Sequence, residues 1–393
     1  MLKFLAEQDE SKCCGCGACK EICPKKAISM IPNKEGFMYP TIDTGKCVGC
    51  KLCEIVCPEM TAPLKTEPLE IYALQSKNKA ELFESSSGGA FRLVADSVIN
   101  QGGYVVGCVW NDNMEPVLTI TNTLDGLRPM QGSKYLSSST EHTYRQTKNL
   151  LDDGKLVLFT GTPCQCAGLL NYLRRPYENL LTMDFLCHGV PSQTAFDAYR
   201  NSLKGEVVNY KFRDKKKHGW GHTSSYIRLY GKSRKKIYSE GSINSYDFGF
   251  LNGYFSRLSC YSCKYSGLQR VTDFTICDFW GYQKYHKEIR TSDGISAFQV
   301  NNQRAKRHLN CFLQNANFHL TNRENVAVEN PAILYENKES IPELRKEIYQ
   351  KIKHDGWKAV EKKYLRCKHY YLKKAWYAMP DGLTRAIKKV MKG

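Results

Sequence analysis

The chain has 393 residues, 42% of them hydrophobic, enough for a large buried core. Its net charge of +18 comes without a helix-turn-helix, zinc-finger or RNP pattern, which argues against nucleic acid and leaves an acidic electron carrier, an anionic metabolite or an anionic membrane surface. No apolar run approaches the ~20 residues of a membrane span, and "MLKFLAEQDE" is too polar for a signal peptide, so a cytoplasmic location is expected.

Residues 13–24 read "CCGCGACKEICP" and residues 47–58 read "CVGCKLCEIVCP". Both fit Cys-x2-Cys-x2-Cys-x3-Cys-Pro, with an offset of 34 residues at all four positions. This is the run of two-cluster bacterial ferredoxins, in which the fourth cysteine ligates the other cluster. Cys13, Cys16, Cys19 and Cys57 are therefore expected to hold one 4Fe–4S cluster, and Cys47, Cys50, Cys53 and Cys23 the other. Gly15, Gly17 and Gly49 let the backbone approach inorganic sulfide without a Cβ clash. The competing readings are weaker: zinc sites pair Cys-x2-Cys across a longer gap, and disulfide frameworks suit small secreted chains. Cys14 falls outside the pattern and reads as an extra loop thiol.

Residues 1–62 are expected to form this ferredoxin-like module, with two short strands in "AISMIPNKEGFMYPTID" around an Asn-Lys-Glu-Gly turn. Pro58, Pro63 and Pro68 mark a linker, and "IYALQSKN" reads as a strand. "SSSGGAFRLVADSVINQGG", 85–103, is a Ser/Gly loop leading into an amphipathic helix, followed by a strand at "YVVGCVW". The loop "PMQGSKYLSSST" precedes a helix at 141–152. "KLVLFTGTPCQCAGLL" is a buried strand, a loop and a helix, and "NLLTMDFLCHGVPS" is a second apolar strand ending in Cys-His-Gly. Strands alternating with helices imply a largely parallel α/β sheet. Ligands bind beyond the carboxyl ends of such strands, and Cys164 and Cys187 both sit there.

Cys260 and Cys263 form a further Cys-x2-Cys pair within "SCYSCKYSGLQRVTDFTICDFWG". Two strand-end thiols plus this pair suffice for a third 4Fe–4S cluster, although Cys166, Cys277, Cys108 and Cys311 compete on spacing alone and a zinc site or free thiols would also fit the pair. The segments "SSSGGAF", "GSKY", "GTPCQ", "LCHGVPS", "SCYSC" and "VTDFTICDFWG" occur in this order. Together they resemble the beta subunit of the coenzyme F420-reducing hydrogenase and its relatives, which include 7-hydroxymethyl chlorophyll a reductase, over roughly residues 1–305. The resemblance implies FAD and a 4Fe–4S cluster on Cys164, Cys187, Cys260 and Cys263. For the flavin it points to Ser87, Gly88 and Gly89, to Gly132, Ser133, Lys134 and Tyr135, and to Gly161 and Thr162. Backbone N–H groups at helix starts suit pyrophosphate, while "SSSGG" alone also reads as an ordinary helix-start turn.

The resulting expectation is an α+β ferredoxin-like module, an α/β flavin-binding domain over residues 63–330, and a basic helical tail over 331–393. The tail contributes 16 Lys/Arg against 6 Asp/Glu within residues 338–393. It reads either as an interfacial amphipathic helix touching a membrane or as a helix packed on the domain. The implied activity is electron transfer between a ferredoxin or another redox protein, the clusters and FAD, with hydride exchange to coenzyme F420 or another anionic metabolite. Surface-polysaccharide metabolism is one setting; an electron-transfer subunit without its own substrate site is the alternative. His188, His218, His222 and Asp278 are candidates for proton handling, and Trp220, Trp280 and Tyr282 for core packing. A second basic stretch, 211–236, could receive an anionic substrate.

Overall fold

Apolar strands buried on both faces set the layout of the large domain, and a short hairpin sets that of the N-terminal module. The computed structural model describes residues 9–289, 291–334 and 343–379. In the N-terminal module, β1 (Ile28–Pro32) and β2 (Met38–Ile42) pair antiparallel with Pro32 opposite Met38. The expected turn joins them: the Asn33 side-chain oxygen accepts from the N–H groups of Glu35 and Phe37, both at 3.0 Å. Gly36 sits in that turn at φ +85°, and a Cβ there would collide with Thr194, so the same glycine lets the hairpin approach the large domain.

The large domain supplies β3 (Glu70–Ser76), β4 (Tyr104–Trp110), β5 (Pro116–Thr121), β6 (Val157–Thr160) and β7 (Leu180–Phe185). An insertion then carries β8 (Glu206–Lys211), β9 (Thr223–Tyr230) and β10 (Ser233–Glu240), before β11 (Phe274–Asp278), β12 (Ser296–Val300) and β13 (Ala316–Thr321). The main sheet has eight strands in the order β13-β3-β12-β11-β7-β6-β4-β5. Its four central strands, β11, β7, β6 and β4, are parallel. The flanks are antiparallel, which corrects the expectation of a largely parallel sheet. A tight turn joins β4 to β5, and a turn that short permits only antiparallel pairing. On the other flank, β3 pairs with strands far along the chain, a relation that local alternation does not encode.

Val157, Leu158 and Phe159 of β6 are fully buried because helices cover both faces. The helix Pro163–Leu173 links β6 to β7 and packs its Leu169 and Tyr172 with Tyr144 and Leu151. The helix Ala90–Asn100 buries Leu93, Val94 and Val98 against Leu158, Leu181 and Phe298. The basic stretch 211–236 contains most of the three-stranded sheet β10-β9-β8, whose β10 half is exposed at Ser233–Lys236. These strands are not evident in the sequence, since the lysines mask the strand preference of "TSSYIRLY".

A second core is aromatic. Trp110 stacks on Phe196 with ring centres 5.5 Å apart, Tyr246 on Trp357 at 5.9 Å, and Phe37 meets Tyr349 edge-on at 5.9 Å. It therefore draws on the N-terminal hairpin, the insertion and the C-terminal segment together. The helices Glu343–Asp355 and Trp357–Tyr364 bury Ile348, Tyr349, Ile352, Trp357 and Val360, so this part of the basic tail is packed on the domain. The helix Tyr370–Ala378 buries none of its residues. Residues 335–342 and 380–393 of the expected tail lie outside the described residues. No helix among the described residues is long and apolar enough to cross a membrane.

Asp247 is a buried carboxyl within this aromatic core, where the Ser224 hydroxyl and the Arg213 charge offset only part of its desolvation. Burial pushes its pKa from 3.8 up to about 8. The folded chain thus holds a proton that the unfolded chain releases, so this contribution to stability is complete below about pH 4 and lost as pH rises toward 8. Asp247→Asn is expected to stabilise the protein at pH 8 by about 1–2 kcal/mol and to flatten stability between the two pH values. Denaturation of anaerobic protein across that range checks this; a variant less stable than wild type at pH 8 contradicts it.

Candidate functional site

The two N-terminal cysteine runs fold as tight loops. Gly15, Gly17 and Gly49 take φ of +72°, +78° and +70°, a region that favours glycine. Cys23, Cys47, Cys50 and Cys53 line one small pocket, walled by Ala27, Ile28, Val48 and Leu52. The Ala27 N–H donates to Cys23 Sγ at 3.3 Å. The remaining ferredoxin-type thiols also crowd together: burial raises the Cys19 pKa, and nearby Cys13 and Cys57 raise it further. Burial raises Cys57 as well, with Cys13 adding to it. Cys16 is buried beside Tyr144 and Leu169 of the large domain. Cys14 is not an isolated loop thiol, since it lies beside Cys16 and Cys164, both of which shift its pKa.

At the sheet edge, β6 and β7 are parallel neighbours with Thr160 opposite Met183. Their ends hold Cys164, in the first turn of the helix Pro163–Leu173, and Cys187. Burial raises the Cys187 pKa, followed by the charges of Cys260, Cys164 and Cys263. Burial and then Cys263 push Cys260 up to about 12, and burial and then Cys164 push Cys263 up to about 11. The four strand-end and Cys-x2-Cys thiols thus share one neighbourhood. Of their competitors, Cys166 is buried under β7 with its Sγ 3.7 Å from the Met183 carbonyl, and Cys311 is exposed. Among the described residues no group of three or more His, Cys, Asp or Glu converges on a single-ion site. Each thiol set fits a larger cationic core, because ionised thiols packed this closely destabilise one another unless iron shares the space.

Beyond the carboxyl ends of β6, β7 and β11 lies a cavity of about 470 Å³. Ser87, Gly89, Gly132, Ser133, Lys134, Tyr135, Gly161 and Thr162 line it, and so do Cys187, His188, His222 and Asp278. The Ser133 N–H donates to Ser86 Oγ at 2.9 Å, tying two of the lining loops together. Gly88 lies behind the wall: its N–H donates to Ser296 Oγ at 2.9 Å, and a Cβ would strike the Leu74 carbonyl. Lys134 curls onto the carbonyls of Pro129, Gln131 and Gly132 at 3.2–3.4 Å, and burial lowers its pKa. Tyr135 stacks on Phe250 with centres 4.5 Å apart. Thr162 and Gln165 form a capping box that satisfies the helix start.

Among the proton-handling candidates, His218 is not in the cavity wall and instead pairs with Glu240 at 3.0 Å. Burial, then the neighbouring Arg213, pushes His222 down to about 4, so it is neutral near pH 7. Asp278 pairs with Arg213 at 2.8 Å and accepts from the Trp220 indole N–H at 3.0 Å. Trp220 stacks on Trp280 with centres 4.0 Å apart, and Trp280 lines the cavity rather than packing the core; Tyr282 is buried in the core as expected. Arg213 does not stand out in the sequence. It sits in "KFRDKKK", where nothing separates one buried arginine from solvated lysines, yet it also donates to Tyr135 and to the carbonyls of Gly221 and Ser86.

A cysteine-rich module seated on the carboxyl edge of a parallel strand group, with four more thiols and a large cavity there, marks the class: an oxidoreductase of the iron–sulfur type. Residues 12–60 match the family model of the 4Fe-4S dicluster domain, and residues 154–326 match that of the C terminus of the coenzyme F420 hydrogenase/dehydrogenase beta subunit. Over these segments the chain is similar to those two domains. A solved structure of the xenon-derivatised F420-reducing [NiFe] hydrogenase complex from Methanosarcina barkeri is similar with a TM-score of 0.47 and 12% identity, over 73% of this chain and 94% of that one. No curated protein matches.

The Arg213–Asp278 pair, buried on the arginine side and 20% exposed on the aspartate side, makes a direct prediction. Arg213→Met is expected to cost about 1–3 kcal/mol in denaturant unfolding, because Asp278 then keeps only the Trp220 donor. Replacing both partners by apolar residues should cost less than Arg213→Met alone. Equal costs would mean that Asp278 is not the partner that matters.

Proposed function

We propose that the chain is an iron–sulfur flavoprotein oxidoreductase. Cys13, Cys16, Cys19 and Cys57 hold one 4Fe–4S cluster, Cys47, Cys50, Cys53 and Cys23 a second, and Cys164, Cys187, Cys260 and Cys263 a third. FAD occupies the large cavity. The observation that carries this reading is that Cys187, a member of the third thiol set, lines the same cavity as Ser87, Gly132 and Thr162. The cavity's volume of about 470 Å³ is of the size that cofactor sites use. The residues that would hold the dinucleotide are Ser87, Gly89, Gly132, Ser133, Lys134, Tyr135, Gly161 and Thr162, with Gly88 packing them from behind. When bound, FAD supplies the exchange between single electrons and electron pairs.

The chain's own groups give the cavity its selectivity. Lys134 brings positive charge to it, while Arg213 is offset by Asp278; this suits an anionic substrate such as coenzyme F420 or another anionic metabolite. Neutral His222 offers one ring donor and one acceptor without adding charge. Asp278 is held by Arg213 and Trp220, which makes it a fixed charge partner that orients the wall. At the opposite end of the thiol series, Cys50 is exposed and Val48 is 63% exposed, with Lys25 and Lys51 lining the same pocket. An acidic ferredoxin-type donor is the redox partner that this cationic lip suits.

Anaerobically purified protein is expected to contain about twelve irons and about one flavin per chain. With dithionite it should reduce coenzyme F420 without a partner chain. Iron-free or flavin-free protein contradicts the reading. Bleaching of clusters and flavin without turnover would make the chain an electron-transfer subunit instead.

A further inference from the structure

Arg257 reaches from the large domain into the N-terminal module. It is 1% exposed, and among the described residues no carboxylate forms an ion pair with it; Glu59, close by, is paired with Lys264 at 3.4 Å. Its Nε donates to the Cys13 carbonyl at 2.6 Å, and one Nη donates to the Met38 carbonyl at 3.0 Å. The same Nη lies 3.6 Å from Cys13 Sγ. The guanidinium also covers the Tyr39 ring, 4.0 Å from its centre. Gly15 makes room for it: a Cβ there would come within 2.9 Å of an Arg257 nitrogen. The backbone of Arg257 is tied to the other thiol set, accepting from the Cys260 N–H at 3.0 Å and donating to the Val190 carbonyl at 2.9 Å.

A guanidinium removed from water and given only neutral acceptors is costly to bury. Its anionic counterpart here is a ligand sulfur. We propose that Arg257 is the counter-cation and potential-setting residue of the cluster held by Cys13, Cys16, Cys19 and Cys57, an inference that rests on the ligand assignment under Proposed function. A cubane with four thiolates is a net anion and gains one more negative charge on reduction, so burial penalises its reduced form. A fixed cation with an N–H aimed at a ligand sulfur favours that reduced form and raises the midpoint potential. The exposed cluster on the Cys47 set can then pass one electron inward, itself becoming oxidised while the Cys13 set is reduced, with no proton transferred. Cys14, in contact with Cys164, continues the route toward the third thiol set. Arg257 acts through the cluster and is a positioning residue.

EPR-monitored redox titration of the anaerobic holoprotein tests this. Arg257→Gln is expected to lower the midpoint of one ferredoxin-type signal and leave the other in place, at unchanged iron content. Arg257→Lys, which keeps the charge but not the planar fork, should shift it less. Arg257→Gln with full iron and both midpoints unchanged overturns the role of the arginine. Wild-type protein grown on isotopically labelled arginine gives a second readout, which decides the matter if the variant fails to assemble. A guanidinium nitrogen should couple to one reduced cluster in pulsed EPR, and absence of any coupling overturns the proposal. Wild-type protein lacking ferredoxin-type signals altogether overturns the ligand assignment itself.

Discussion

Thiols buried side by side can ionise only if positive charge shares their space. Cys13, Cys16, Cys19 and Cys57 crowd one another under the large domain, and Cys164, Cys187, Cys260 and Cys263 do so at its sheet edge. The fold brings these two sets within a short distance of each other. Cys14 bridges the two sets, and Arg257 is bound to both through its side chain and its backbone. The N-terminal module is therefore not a tethered appendage. Its hairpin shares an aromatic core with the insertion and the C-terminal helices, and the ion pair of Glu35 with Arg345 sits on the same seam.

The sheet explains why the chemistry gathers where it does. Parallel neighbours end on one side, so the loops after β6, β7 and β11 face a common space. On one flank β3, antiparallel to β12 and so aligned with β11, adds its following loop to that edge, where Ser85, Ser86, Ser87 and Gly89 line the cavity. The Gly88 N–H bond to Ser296 of β12 ties that loop to the sheet. Charge follows the same division: Arg213 and Lys134 line the cavity, whereas Arg234 and Lys235 of β10 face solvent, where salt screens them.

What was legible in the sequence was whatever chemistry fixes at short range. Ligand spacing dictates the two cysteine runs, and the Thr-Pro start after a strand buried on both faces marks the β6–helix–β7 unit. The Asn33–Gly36 turn was equally plain. Relations across long separations were not legible. The antiparallel partners of β3 leave no local trace, and the hairpin β9–β10 hides under its lysines. Arg213 and Arg257 are two cations among 57 Lys and Arg, and only their buried positions beside the cavity and the Cys13 thiol distinguish them. Gly88 carries a second constraint that the sequence does not show: packing against Leu74 and Ser296 leaves no room for a side chain there.

The central claim is that the sheet-edge thiols extend the ferredoxin-type relay toward the cavity. Iron analysis with EPR on anaerobic Cys164→Ala and Cys187→Ala proteins tests it most directly. The account predicts loss of about four irons from each, with both ferredoxin-type signals retained. Variants that keep their full iron content, or that lose the ferredoxin-type signals while keeping the remaining iron, would contradict it.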